Sequence, residues 1–240
     1  LPMYLPVCFA RKSGPVLAAL MLALMLPAAH GQAGHGQGGY GQGAKINSRE
    51  EDRECGPLVS PKVDRLPPKD YRTDRAWLGM VESQHFPPDV ENLVKPLLST
   101  FGAAIAYTLH GYPNHVRALA TLERLTERER TDQPKGADYS LDCYYRRAIR
   151  FVPDDLLVRM MYALYLNKRG KKELALSQAE FIDSSAGSDP LTRNNLGLVF
   201  LALDMPDRAL AQLDKADSAD PGLTLLRQRL EALGKLPKKD

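Results

Sequence analysis

The chain has 240 residues, 44% of them hydrophobic, and its 32 lysine and arginine side chains oppose 29 aspartate and glutamate side chains. This length is sufficient for one globular domain with a hydrophobic core. The near-neutral charge, without a stripe of basic residues interleaved with aromatic ones, argues against a nucleic-acid partner.

The amino terminus has the pattern of a secretory signal peptide, which we assign to residues 1–31. Two basic residues, Arg11 and Lys12, precede the apolar run VLAALMLALML, and small residues suited to cleavage follow it. The run is short for a bilayer span, and cleavage would leave Gln32 first. We therefore predict a periplasmic or secreted protein with no membrane span after signal cleavage. An uncleaved membrane anchor is the alternative.

Two segments lie between the signal and the main helical region. Residues 32–54 begin in a stretch rich in glycine and glutamine, which predicts a flexible tether. Residues 55–96 are rich in proline and predict an irregular lead-in with short helices. One helix is expected to begin near Asp74, and a second to begin at Asp89 and end or bend near Pro96.

The region from residue 97 to residue 221 carries a repeated helical pattern. Apolar residues recur at three- and four-residue steps on both sides of an Asp-Met-Pro-Asp turn, which predicts two amphipathic helices joined in a hairpin. Several positions also recur at one constant offset along the chain, as internal helical repeats do. The recurring positions are Tyr162 and Leu196, Ala163 and Gly197, Leu166 and Phe200, Gly170 and Asp204, and Ala175 and Ala209.

This offset of about 34 residues and this order of small, apolar and alanine positions resemble the tetratricopeptide repeat (TPR) family, whose helix–turn–helix unit has that length. The resemblance covers about residues 114–221, with Leu122 in the place of Leu196 and about six residues inserted before Ala148. It implies an all-α fold, a short solenoid of helical hairpins, with a capping helix and basic tail over residues 222–240.

The resemblance also implies where a partner would bind. In TPR domains the first helix of each unit lines a concave face that holds peptides or proteins. We therefore expect an exported adaptor or assembly factor with an unidentified protein or peptide partner. The residues placed on this predicted face are Arg117, Arg124, Leu157, Met160, Leu164, Asn167, Lys168, Asn194, Leu198 and Leu201. In the alternative interpretation, the leucines of this face pack against the lead-in helices.

No residue pattern predicts a catalytic site, a metal site or a bound cofactor. The histidines lack an HExxH pair or a third ligand at a recognisable spacing, and no glycine-rich phosphate loop lies between a strand and a helix. We therefore do not predict an enzyme. The rival hypothesis is an accessory enzyme or a solute-binding protein with a cleft between lead-in and solenoid, where His85, Asp89 and His110 would converge.

The cysteines predict a disulfide in the mature chain. Cys8 lies in the predicted signal, which leaves Cys55 and Cys143. Two thiols in an oxidising compartment favour a bond, here between the lead-in and a helix of the first repeat unit. The alternative is a pair of free thiols, because spacing alone does not establish pairing.

Overall fold

The computed structural model describes residues 48–59, 67–97, 99–216 and 224–236, and within these ranges every regular element is a helix. The predicted all-α class is therefore confirmed. The predicted signal peptide, residues 32–47 of the predicted tether, Pro221 and the last four residues lie outside these ranges. The helices are α1 Ser48–Cys55, α2 Leu78–His85, α3 Pro88–Glu91, α4 Phe101–Gly111, α5 Val116–Glu129, α6 Leu141–Phe151, α7 Leu156–Lys168, α8 Lys172–Ser185, α9 Pro190–Ala202, α10 Pro206–Ala216 and α11 Thr224–Ala232.

The end of the predicted tether differs from expectation, because residues 48–54 belong to α1. Glutamates in its first turn and Arg53 in its last turn complement the helix dipole. Helix α1 packs against α6, where Arg146 and Arg150 pair with acidic side chains of α1. Tertiary contacts therefore stabilise a helix that is too short to be stable alone.

The lead-in contains α2 and α3, and the second of these is shorter than the sequence suggested. The expected helix from Asp89 to about Pro96 ends at Glu91. Leu93 follows with a left-handed backbone (φ 56°), which no α-helix accommodates. Both lead-in helices pack against α4, and α3 also contacts α5.

Helices α7 to α10 form two hairpins that pack on one another. Helix α7 packs against α8, α9 packs against α10, and α9 also contacts both helices of the first hairpin. The turns inside the hairpins match at the offset of the repeat, since Gly170 and Asp204 both have a left-handed backbone with φ values of 74° and 60°. Pro206 begins α10, as the turn sequence predicts.

The two units repeat a buried polar contact that the sequence analysis did not identify. In the first, Arg159 donates to the carbonyl of Pro153 at 2.7 Å and to Gln178 at 2.7 Å. In the second, Arg193 donates to the carbonyl of Gly187 at 2.9 Å and to Gln212 at 2.9 Å. Asp155 and Asp189, which the same offset separates, cap the first helices of these units. The offset of the sequence repeat therefore also relates equivalent side-chain contacts in the two units.

Small residues lie at the helix crossings. Ala175 and Ala209 are fully buried, and Ala216 is 3% exposed. Gly197 lies against Leu226 of α11, and a Cβ atom built on that glycine would come within 2.2 Å of the leucine side chain. Helix α11 thus covers the last hairpin, and one continuous hydrophobic core runs from Phe86 in the lead-in to Leu230.

Candidate functional site

Four residues of the predicted binding face are buried. Met160, Leu164, Asn194 and Leu198 are each no more than 5% exposed. Met160 and Leu164 lie on α7, which packs against α6, α8 and α9, so neighbouring helices enclose this part of the face. The side chains of these four residues are therefore not accessible to a partner in this arrangement.

The two arginines of the predicted face hold the lead-in. Arg117 donates to Glu91 at 2.8 Å and to Glu82 at 3.0 Å. Arg124 donates to the backbone carbonyl of Glu91 at 2.6 Å. The pairing with Arg117 lowers the pKa of the Glu91 carboxyl. The lead-in thus covers the amino-terminal half of α5, where the sequence analysis placed a partner.

A buried histidine completes this contact. His115 caps α5, because its Nδ1 accepts a hydrogen bond from the Ala118 amide, and its Nε2 lies 3.1 Å from Glu82. Nε2 therefore carries the proton and donates to the carboxylate. Burial lowers the pKa of His115, which keeps the imidazole neutral, and the hydrogen bond lowers the pKa of Glu82. This histidine has a structural role.

Most of the accessible part of the predicted face lies toward the carboxyl ends of the first helices, whereas Leu157 lies at the amino end of α7. Lys168 is exposed, Leu157 and Leu201 are half-buried, and Asn167 is half-buried with its amide donating to the carbonyl of Ala202 at 2.7 Å. Asn167 thus connects α7 to α9 and does not present a free amide to a peptide backbone.

Lys168 borders an open cleft of about 490 Å³ between the carboxyl-terminal ends of α5 and α7. We name it the Glu123 cleft. Charged side chains of both signs surround it, and Tyr165 supplies an aromatic wall. Its residues are Glu123, Thr126, Glu127, Arg130, Thr131, Asp132, Tyr165, Lys168 and Arg169.

Glu123 is the unusual residue of this cleft, because its side chain is only 6% exposed. Its Oε2 accepts a hydrogen bond from the Tyr145 hydroxyl at 3.0 Å, and its Oε1 lies 3.7 Å from Lys168 Nζ. Burial raises the pKa of Glu123, and the nearby ammonium of Lys168 opposes that rise. The buried carboxyl also raises the pKa of Tyr145 well above its ordinary value, in addition to the larger effect of burial.

A second concavity, of about 670 Å³, lies between α1 and helices α6 to α8. We name it the strap groove, because the segment at the end of α1, residues 55–58, forms a strap beside it. Its floor is apolar, and its rim is charged. It is lined by Glu51, Glu54, Asp142, Arg146, Ile149, Arg150, Pro153, Tyr162, Leu166, Lys171, Leu174 and Gln178.

The strap is attached to α6 in two ways. Cys55 and Cys143 lie at disulfide distance, with their Cα atoms 5.1 Å apart, which confirms the predicted pairing. Arg147, which is 1% exposed, donates to the carbonyls of Cys55, Gly56 and Pro57 at 2.8, 3.0 and 2.8 Å. A cation at the carboxyl end of α1 satisfies carbonyls that the helix leaves free.

The three residues of the rival hypothesis have different neighbours. His85 stacks on Tyr107 with ring centroids 3.6 Å apart, while His110 contacts Asp138 at 2.8 Å. Asp89 is exposed at the start of α3. The strap groove lies between α1 and helices α6 to α8, and its described lining includes none of these three residues.

Over residues 48–59, 67–97, 99–216 and 224–236, no group of three or more histidine, cysteine or acidic side chains is placed to hold a metal ion. In the same part of the chain, no helix has the length and apolar character needed to cross a membrane.

No protein-family model, curated protein or solved structure matches this chain. The repeat unit is therefore defined from the helices, turns and contacts of this chain alone.

Proposed function

We propose that this protein is an exported adaptor or assembly factor of the TPR type, which binds a segment of a partner protein in the Glu123 cleft. The observation that carries the proposal is the position of the cleft. It opens between α5 and α7, the first helices of successive units, whereas the lead-in and the neighbouring helices cover other parts of the predicted face. Concave surfaces between repeats are where such folds bind their partners.

The Cys55–Cys143 pair supports the exported location. Disulfides form and persist in oxidising compartments, and this pair attaches the lead-in to α6 at a sequence separation of 88 residues. Together with the apolar run at residues 16–26, it favours a periplasmic or secreted protein.

Site-specific photo-crosslinking of the full chain, expressed in a bacterial host, tests the binding site. A photoreactive amino acid replaces exposed Thr131 in the cleft, and the matched control carries it at Leu233, which is 59% exposed beyond α11. We expect a discrete adduct from position 131 and none from position 233. Equal labelling at both positions, or no adduct at position 131, would contradict the proposal.

The strap groove favours a second candidate function, a solute-binding or enzyme-accessory role. Tyr162 donates to Asp142 at 3.1 Å above an apolar floor that includes Leu166, and the half-exposed Leu174 lies at the edge. An apolar concavity with a few polar groups is the usual form of a small-molecule site. A thermal-shift screen of solutes against wild type and Leu174→Asp tests it, because solutes bound there would lose their effect in the variant.

A further inference from the structure

The Glu123 cleft contains an acceptor that no group in the described part of the chain satisfies. Among those residues none donates a hydrogen bond to the buried Glu123 Oε1, while Oε2 is bonded to Tyr145. The nearest ammonium, Lys168 Nζ, is 3.7 Å from Oε1, beyond hydrogen-bond distance, and it pairs with Glu127. Buried carboxylate oxygens in folded proteins normally have donors, so this one is open to a donor from a ligand.

We propose that the Glu123 cleft binds a primary ammonium group of the partner, which takes the position beside Glu123 Oε1 that Lys168 now approaches. An ammonium group carries three N–H donors and no acceptor. Around that position the cleft supplies the carboxylates of Glu123 and Glu127 and the hydroxyl of Thr126. The ring of Tyr165, over which the Arg169 guanidinium lies at 5.4 Å, adds an aromatic surface on which cations are favoured. This inference deepens the proposed function, and it rests on that function for the identification of the ligand as part of a protein.

The pairing of charges in the cleft favours an ammonium group over other ligands. Lys168 pairs with Glu127 and also lies 3.7 Å from Glu123 Oε1, Arg169 pairs with Asp132, and Arg130 is a third cation that lines the cleft. The buried Glu123 Oε1 still has no hydrogen bond from the described residues. An anion would be repelled there, and an apolar group would leave Oε1 unsatisfied. A divalent metal would need more ligands than the described part of the chain brings together.

The repeat provides a second, independent observation. Leu122 occupies the place of Leu196, so Glu123 occupies the place of Gly197 and of Ala163 in the other two units. Those units have a small residue where helices cross, and this unit has a buried carboxyl. A hydrophobic or small residue would pack there without the cost of burying a charge. The replacement of a small residue by Glu123 therefore places a carboxyl, whose burial costs free energy, at the cleft between α5 and α7.

The test measures binding of small amines to the full chain by isothermal titration calorimetry or by NMR shifts. The probes are n-butylammonium and N-acetyl-lysine methylamide, with N-acetyl-norleucine methylamide as the neutral isostere. Two tripeptide amides, acetyl-Ala-Lys-Ala and unblocked Ala-Ala-Ala, distinguish a lysine side chain from a chain amino terminus as the source. Because these probes need no partner, failure here is distinguishable from failure of the crosslinking experiment.

Three variants identify the site of binding. Glu123→Gln keeps the shape and should weaken ammonium binding by about ten- to a hundredfold, because a charged acceptor is lost. Lys168→Met removes the internal competitor and should strengthen it by about two- to fivefold. Lys171→Met, which removes a comparable ammonium 3.7 Å from Asp142 outside the cleft, should change nothing. Circular dichroism establishes that each variant is folded.

The outcomes separate cleanly. Binding of the charged probes but not of the norleucine isostere, lost in Glu123→Gln and strengthened in Lys168→Met, supports the proposal. If the charged probes bind neither wild type nor Lys168→Met, the proposal is overturned. Equal affinity for the neutral isostere, or unchanged affinity in Glu123→Gln, also overturns it, since the amine would then bind through its apolar part or at another place.

Discussion

Arg147 attaches the strap to α6 through hydrogen bonds, in addition to the disulfide. We consider Arg147→Met, which keeps an unbranched apolar stem and removes the guanidinium that lies 4.6 Å from the centre of the Tyr139 ring. The change removes hydrogen bonds from a cation to the carbonyls of residues 55, 56, 57 and 58, of which the Gly56 carbonyl keeps a donor in Arg150 at 2.9 Å. The disulfide to Cys143 remains.

The magnitude follows from two opposed effects. Each carbonyl left without a donor costs about 1–3 kcal/mol if it stays buried, although the costs do not add fully. Burial lowers the pKa of Arg147, which shows that the cation itself is held at a cost, and methionine relieves that cost. We expect a net loss of about 2–4 kcal/mol in the free energy of unfolding. Arg146→Met is the matched control, one position away and partly exposed, and should lose about 1 kcal/mol.

Urea denaturation of the oxidised protein measures this loss, and hydrogen exchange locates it at the amides of Gly56, Leu58 and Val59. A double-mutant cycle with Cys143→Ser adds a further check. Closing a loop of 88 residues stabilises by about 4–5 kcal/mol at most, and two attachments of one strap should be non-additive. If Arg147→Met is as stable as wild type and the exchange at the amides of Gly56, Leu58 and Val59 is unchanged, the carbonyl contacts contribute nothing and the reasoning is refuted.

Three further predictions concern the core. Glu123→Gln should be more stable than wild type at neutral pH and nearly equal to it in acid, because the folded protein holds the Glu123 proton more tightly than the unfolded chain does. Thermal melting from pH 4 to pH 8 measures the difference in stability. This difference should grow as the pH rises above the ordinary glutamate pKa of 4.5. Ala209→Leu should overpack a buried crossing and cost about 1–3 kcal/mol in urea denaturation, whereas Ala232→Leu at an exposed position should be neutral. Gly102→Ala should cost a similar amount, since its Cβ would come within 2.4 Å of the Lys135 carbonyl oxygen; an unchanged melting temperature would contradict the close approach.

The hairpins were predictable because local chemistry specifies them. The spacing of apolar residues defines the buried stripe of each helix, and Pro206 can only sit in a first turn. Gly170 and Asp204 occupy equivalent positions in the two repeat units because the turn needs a residue that tolerates a left-handed backbone. The cysteine pairing was also predictable, since only Cys55 and Cys143 remain after the signal.

The coverage of the predicted face was not predictable, because it depends on contacts between distant segments. Arg117 and Arg124 are in the register of the binding face, yet Glu82 and Glu91 reach them from the lead-in, which has no periodic relation to α5. Glu123 stands beside the charged stretch that follows it and looks solvated, and only Tyr145 of another helix shows that it is buried. The Arg159 and Arg193 contacts were detectable, because both arginines and their glutamine partners recur at the offset of the repeat.

The departures from the repeat concentrate in the unit that contains α5. Aspartate caps α7 and α9, but His115 caps α5 and bonds to the lead-in. Arg159 and Arg193, the buried arginines of the other units, have no counterpart here, because Leu119 stands at the equivalent position. Glu123 replaces the small residue. A repeat unit that only had to stack would gain stability from the regular residues at all three positions. Two of the three replacements are polar, and they lie at the contact with the lead-in and in the Glu123 cleft, which is why we propose that this unit recognises a partner.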